Sequence, residues 1–170
     1  MAHRQLIIFD LDGTLTSLRL SAVHDAPFIL LPNVESKLAA LFAGQITLAL
    51  ATNQVTGSFR GRPYTCAIIE SRLDALAKLL PMIPRSLMRI GRPGTTSWKP
   101  NPGMLISLLQ DTATDRQEAL FVGDSDSDRQ AADNAGVGFA WAWDCFDWPN
   151  GQADRSIDWE ARGANIWRTP

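Results

Sequence analysis

The run Ile7-Ile8-Phe9 stops abruptly on Asp10-Leu11-Asp12-Gly13-Thr14, and no other stretch restricts the fold so strongly. An unbroken apolar segment of this kind suits a strand buried on both faces, which belongs in a parallel sheet covered by helices. Alternate residues of an extended segment share a face, so Asp10 and Asp12 point the same way, while Gly13 permits the sharp turn out of the strand. Two carboxylates converging on one point repel each other unless a proton or a cation relieves them, and a hard divalent metal is their natural company. The plainer alternative is a pair of acids that end a strand and cap a turn.

The rest of the chain repeats the pattern. Residues 17–33 read as a loop, with Pro27 and Pro32 flanking the buried-looking run Phe28-Ile29-Leu30-Leu31. Asn33 can cap a helix over Val34 to Phe42, where Val34, Leu38, Leu41 and Phe42 fall at helical spacing, and Gly44 stops it. Ile46 to Ala51 is a second buried strand, running into the polar triplet Thr52-Asn53-Gln54. Gly57, Gly61 and Pro63 predict a loop carrying Arg60 and Arg62, and a helix follows from Tyr64 to Leu80. Ser86 to Ile90 is a weaker third strand. The loop Gly91 to Ser97 then leads through Trp98 and Lys99 to a helix that Asn101 can cap and Pro102 can open, ending near Gln110. Ala119 to Val122 is a fourth strand leaving into Gly123-Asp124-Ser125-Asp126-Ser127-Asp128; a helix from Ser127 to Asn134 and a fifth strand from Val137 to Trp143 complete the pattern. Alternating strands and helices predict a three-layer α/β fold with a parallel sheet. Every polar cluster lies at the carboxyl end of a strand, where open sheets bind ligands.

At 170 residues the chain suits one domain, 1–170, with a core over about 5–143. Residues 144–170 form a tail whose Trp148, Trp159 and Trp167 are expected to anchor it to that core. Hydrophobic residues at 45% and charged residues at 20% exclude the composition of a disordered chain. Cys66 and Cys145 form no C-x-x-C spacing, which argues against a zinc site or disulfide framework and for a reducing cytoplasm. The apolar run before Asp10 is too short for a signal-peptide core or a membrane span. A net charge of −2 argues against a surface built for nucleic acid, although residues 60–99 alone carry +6.

In order along the chain stand D-x-D-G-T at Asp10 to Thr14, T-N-Q at Thr52 to Gln54, K-P at Lys99 and Pro100, and G-D-x-x-x-D at Gly123 to Asp128. This series resembles the haloacid dehalogenase (HAD) phosphatase superfamily, over Gln5 to about Trp143. The resemblance implies a Rossmann-like core with five main strands in the order 3-2-1-4-5; no insertion after Asp12 or Asn53 is large enough for a cap domain. It further implies that Asp10 is a nucleophile forming an aspartyl-phosphate, that Asp12 protonates the leaving oxygen and then activates water, and that Thr52 and Lys99 stabilise the phosphoryl group. Mg²⁺ would be held by Asp10, the carbonyl of Asp12 and Asp124, with Asp128 near the metal or positioning Lys99. Asp126 is assigned to helix capping or solvent.

The T-N-Q triplet followed by Arg60-Gly61, and the run Lys99 to Met104, look like the subclass of histidinol-phosphate and heptose-bisphosphate phosphatases, with polynucleotide 3'-phosphatases nearby. Two features depart from that subclass. Gly91 to Ser97 contains none of the cysteines and histidines that often bind zinc there, so the loop must be held another way. Trp98 also stands where an arginine is common. Asn53, Arg60 and Trp98 are the expected substrate contacts. The expected substrate is a small sugar or alcohol phosphate. A polynucleotide 3'-phosphatase or nucleotide phosphatase is the alternative, followed by a phosphotransferase or a catalytically silent binding module; no membrane partner is expected.

Overall fold

Among the described residues the strands and α-helices are β1 (Leu6–Phe9), α1 (Val34–Ala43), β2 (Thr47–Asn53), β3 (Gly57–Phe59), β4 (Arg62–Tyr64), α2 (Cys66–Leu79), β5 (Met88–Gly91), α3 (Gly103–Asp111), β6 (Ala119–Gly123), α4 (Asp126–Ala135), β7 (Gly138–Trp141) and α5 (Ala142–Cys145). They come from a computed structural model that describes residues 5–17, 28–59 and 62–149. Five strands form one sheet in the order β5-β2-β1-β6-β7, all neighbours parallel. With the hairpin β3–β4 set aside, this is the expected order 3-2-1-4-5.

β1 is central because both of its edges are paired, Leu6 with Thr47 of β2 and with Ala119 of β6. Its side chains alternate between two cores. Ile7 and Phe9 join Leu38 of α1, Leu73 of α2 and Phe146 on one face, while Leu6 and Ile8 join Leu105 of α3 and Ala131 of α4 on the other. Both faces are therefore dry, which accounts for an apolar run without polar alternation. Burying a leucine or phenylalanine of this set contributes about 1.5–3 kcal/mol.

The strand exits carry more irregular structure than the sequence pattern predicts. The stretch after Gln54, expected as a loop, is a short antiparallel hairpin in which Gly57 pairs with Tyr64. Helix caps also differ. Asn33 adopts a left-handed conformation at φ 64° and makes no side-chain cap; its amide donates instead to the Phe146 carbonyl at 2.8 Å. Asn101 likewise turns its amide to the Thr95 carbonyl, and α3 begins one turn position later, after Pro102. Trp148 stacks on Phe146 and donates its indole N–H to the Pro32 carbonyl at 2.7 Å. Trp159 and Trp167 lie outside the described residues. Among the described residues no helix is long and apolar enough to cross a membrane.

Candidate active site

Because β1, β2 and β6 end side by side, their polar exits meet. The Asp10 N–H donates to the Val122 carbonyl at 2.9 Å, continuing the β1–β6 ladder by one residue and fixing the first acid beside the exit that carries Asp124. Gly13 turns the chain at φ +85°, and a Cβ there would run into the Asp124 carboxylate. Only glycine combines that backbone with that approach.

Lys99 brings the groups together. Its ammonium, 4% exposed, donates to Asp10 Oδ1 and Asp128 Oδ1 at 2.6 Å each and to the Ala51 carbonyl at 3.3 Å. Asp128 is fully buried and spent on both oxygens: Oδ2 accepts from the Ser125 N–H at 3.1 Å and from the Ser125 hydroxyl at 2.6 Å. Ser125 in turn accepts from the Asp128 N–H, so a reciprocal capping box at the start of α4 holds the acid that holds the lysine. Asp128 touches the Gly123 backbone so closely that a Cβ at Gly123 would meet its side chain at 2.5–2.6 Å. Asp126, by contrast, is exposed and pairs with Arg129 at 3.7 Å.

Asn53 binds the segment that carries Lys99. Its Oδ1 accepts from the Lys99 N–H at 2.9 Å and its Nδ2 donates to the Lys99 carbonyl at 3.1 Å. The loop before it is held by hydroxyl groups where a zinc loop would use thiolates. Thr95 Oγ1 donates to the Arg92 carbonyl at 2.8 Å and lies 2.6 Å from Ser97 Oγ, which accepts from the Arg92 N–H at 3.3 Å. The Gly103 N–H closes onto the Thr96 carbonyl at 3.0 Å.

These exits frame an open cleft of about 390 Å³ lined by Asp10, Asp12, Gly13, Ser17, Asn53, Lys99, Asp124, Ser125 and Ser127. Thr52 and Trp98 are not part of this lining. Thr52 is buried, with its hydroxyl accepting from Gln54 Nε2 at 2.9 Å. Trp98 is partly buried, and its N–H donates to the Thr95 carbonyl. Arg60 lies outside the described residues. Two residues to which the sequence gives no role join the site: Gln54 Nε2 also donates to Asp12 Oδ2 at 2.9 Å, and the Tyr64 hydroxyl donates to Gln54 Oε1 at 3.4 Å. The polar triplet at the end of a buried strand is the signal for Gln54; nothing in the sequence marks Tyr64.

Burial dominates the electrostatics. It pushes the Asp10 carboxyl up to about 8, with Lys99 pulling it back and Asp128 and Asp12 pushing it further. Burial works against the Lys99 ammonium, but the Asp10 and Asp128 carboxylates outweigh it and hold the lysine above its ordinary value. A ligand oxygen from each of Asp10, Asp124 and Asp128 lies within 4.8 Å of the others. All three donors are hard carboxylate oxygens, which fits a divalent cation of the Mg²⁺ or Ca²⁺ type and not a thiophilic metal. Such a charge would offset the burial that favours the protonated form of Asp10.

A family model for haloacid dehalogenase-like hydrolases matches residues 88–142, the segment from β5 to the start of α5. Phosphoglycolate phosphatase of Salmonella typhimurium is 34% identical over 108 residues, 64% of this chain and 37% of that protein. The Escherichia coli K12 phosphoglycolate phosphatase is 35% identical over 107 residues, 63% of this chain and 37% of the relative. The chain thus spans under half the length of the curated relatives it matches. Among solved structures, the D,D-heptose 1,7-bisphosphate phosphatase of B. bronchiseptica, complexed with magnesium and phosphate, aligns with a TM-score of 0.63 and 28% identity, covering 79% of this chain and 78% of that one. A HAD-like phosphatase structure from Mesorhizobium loti aligns with a TM-score of 0.64 and 26% identity, covering 79% and 70%. Residues 88–142 thus match the haloacid dehalogenase-like hydrolase family, and the chain is similar in sequence and in fold to phosphatases over most of its described length.

Proposed function

We propose that the cleft hydrolyses a small phosphomonoester through a covalent intermediate on Asp10. The observation that carries this reading is the Lys99 ammonium, held at 2.6 Å by Asp10 on one side and Asp128 on the other at the floor of a polar cleft. A buried cation in that position neutralises charge on an incoming phosphoryl group and keeps Asp10 Oδ1 oriented as a nucleophile. In the first step an Asp10 oxygen bonds to phosphorus as the ester P–O bond breaks, and the leaving oxygen takes a proton from Asp12. In the second, Asp12 accepts a proton from water as the water oxygen attacks phosphorus and the Asp10–phosphorus bond breaks. Asp10, Asp124 and the Asp12 carbonyl would hold Mg²⁺, which when bound supplies positive charge beside the phosphoryl oxygens. Asp128, with both oxygens engaged, serves to hold Lys99.

Two observations support a small substrate. The cleft volume lies at the lower end of the range for small-molecule sites, and among its described lining residues Lys99 is the single cation, a poor match for a polyanion. The names of the relatives, phosphoglycolate phosphatase and heptose 1,7-bisphosphate phosphatase, point the same way. A cytoplasmic setting accords with two free cysteines in no motif. The test is phosphate release by purified protein with Mg²⁺ over a panel of phosphoglycolate, sugar phosphates, glycerol 2-phosphate, nucleotides and a 3'-phosphorylated oligonucleotide. Turnover of small esters that disappears in Asp10→Asn supports the reading. Unchanged release by Asp10→Asn overturns the mechanism, and a preference for the oligonucleotide overturns the substrate class.

A further inference from the structure

We infer that Gln54 is a positioning residue that fixes the proton-carrying carboxyl of Asp12 toward the leaving group, with Tyr64 on the β3–β4 hairpin as its anchor. The inference rests on the phosphatase reading and deepens it. Gln54 follows β2, where its N–H donates to the Gly91 carbonyl at 3.1 Å, and its side chain is 4% exposed. Its amide nitrogen donates to Asp12 Oδ2 and to Thr52 Oγ1, both at 2.9 Å, and its oxygen accepts from Tyr64. That pattern sets which way the amide faces. An ionised carboxylate oxygen only accepts, so the nitrogen lies on the Asp12 side and the oxygen faces the Tyr64 hydroxyl.

The consequence for Asp12 follows from what an amide N–H can do. It only donates, so Oδ2 offers it a lone pair and the contact favours Oδ1 as the oxygen that carries the proton. When the ester P–O bond breaks, its electron pair goes to the leaving oxygen, which takes the proton from Oδ1. Asp12 is left as a carboxylate, and the Gln54 hydrogen bond strengthens as that charge develops. The contact therefore stabilises the step in which the leaving group departs more than it stabilises bound substrate. It also ties that step to the hairpin, because Tyr64, 2% exposed, belongs to β4.

A group that acts through the general acid matters in proportion to how badly the leaving oxygen needs a proton. The experiment compares wild type, Gln54→Met and Tyr64→Phe, in the full chain with Mg²⁺, on p-nitrophenyl phosphate and on glycerol 2-phosphate. The aryl leaving group departs with little protonation; the alkoxide needs it. Gln54→Met should lower kcat/KM, which reports the leaving-group step and not the shared hydrolysis of the intermediate, about 10²-fold on the alkyl ester but under about fivefold on the aryl ester. Tyr64→Phe, which keeps the ring packed, should show the same inequality at smaller size and provides the test should Gln54→Met fail to fold. Equal losses of kcat/KM on both esters overturn the inference while leaving the phosphatase reading intact. A wild-type chain that releases phosphate from neither ester overturns both.

Discussion

Replacing Asp128 by Asn changes one atom in the most constrained part of the site, and the structure specifies what that atom must do. The carboxylate receives three donors: the Lys99 ammonium on Oδ1, and the Ser125 N–H and hydroxyl on Oδ2. An asparagine amide has one oxygen and one NH₂. If the oxygen stays on the Ser125 side, the NH₂ faces the ammonium; if it turns to Lys99, the capping box is lost. Either way a buried donor confronts a donor, and Lys99 is left with the Asp10 carboxyl alone of its two acidic partners. Breaking a buried ion pair by removing one partner costs about 3–5 kcal/mol. For a domain of this size that lowers Tm by roughly 6–20 °C. The measurement is urea unfolding followed by circular dichroism at pH 7 in the presence of a chelator, with Ser125→Ala as the comparison, since loss of the cap alone costs about 1 kcal/mol. Turnover should fall about 10²–10³-fold as Lys99 loses its second anchor. An Asp128→Asn protein within about 1 kcal/mol of wild type would refute the argument, because it would mean that the buried contact at 2.6 Å is energetically silent.

Two further outcomes follow from the same geometry. In metal-free protein Asp10 has a folded pKa of about 8 against an ordinary 3.8, so the native state holds an extra proton between those values. Its contribution is fully present below about 4 and is lost as pH rises through about 8; Tm should fall between pH 5 and pH 8, and millimolar Mg²⁺ should flatten the profile. A flat metal-free profile would contradict this. Gly91→Ala would push a Cβ to 2.6 Å from the Ser97 carbonyl and into Asn53 Oδ1, the oxygen that receives the Lys99 N–H; it should cost about 1–3 kcal/mol and at least tenfold in kcat. Gly94→Ala in the same loop enters open space at φ +76° and should cost about 1 kcal/mol without affecting turnover, so similar losses in the two variants would count against the Asn53 clamp.

The sheet was legible because burial on both faces leaves an uninterrupted mark: Ile7-Ile8-Phe9 and Leu48 to Ala51 have no polar alternation to confuse them. The acids at the strand exits were legible for the opposite reason, as charges where a core strand has no use for them. The use each side chain makes of its polar atoms was not legible. Asn53, expected against substrate, spends both ends of its amide on a backbone 46 residues away, and Gln54 reaches an acid 42 residues away. Such pairings arise only when parallel strands bring distant exits together, and no local spacing encodes them. The hairpin has the sequence of a loop because Gly57 and Pro63 are turn residues within strands only three residues long. Asn33 illustrates competition between local and tertiary partners: the cap its sequence position favours gave way to the Phe146 carbonyl.

The hydroxyl clasp across Arg92, Thr95 and Ser97 separates two kinds of dependence that a zinc-bearing loop would merge. The clasp itself consists of neutral hydrogen bonds, so zinc supply does not govern its shape; Arg92 additionally reaches the Cys66 thiol and Glu70. Chelation should then act on turnover through the acidic cluster and leave the lysine-bearing segment in place. A chelator titration of this chain then reads the ion at the acidic cluster without the loss of a zinc-held loop.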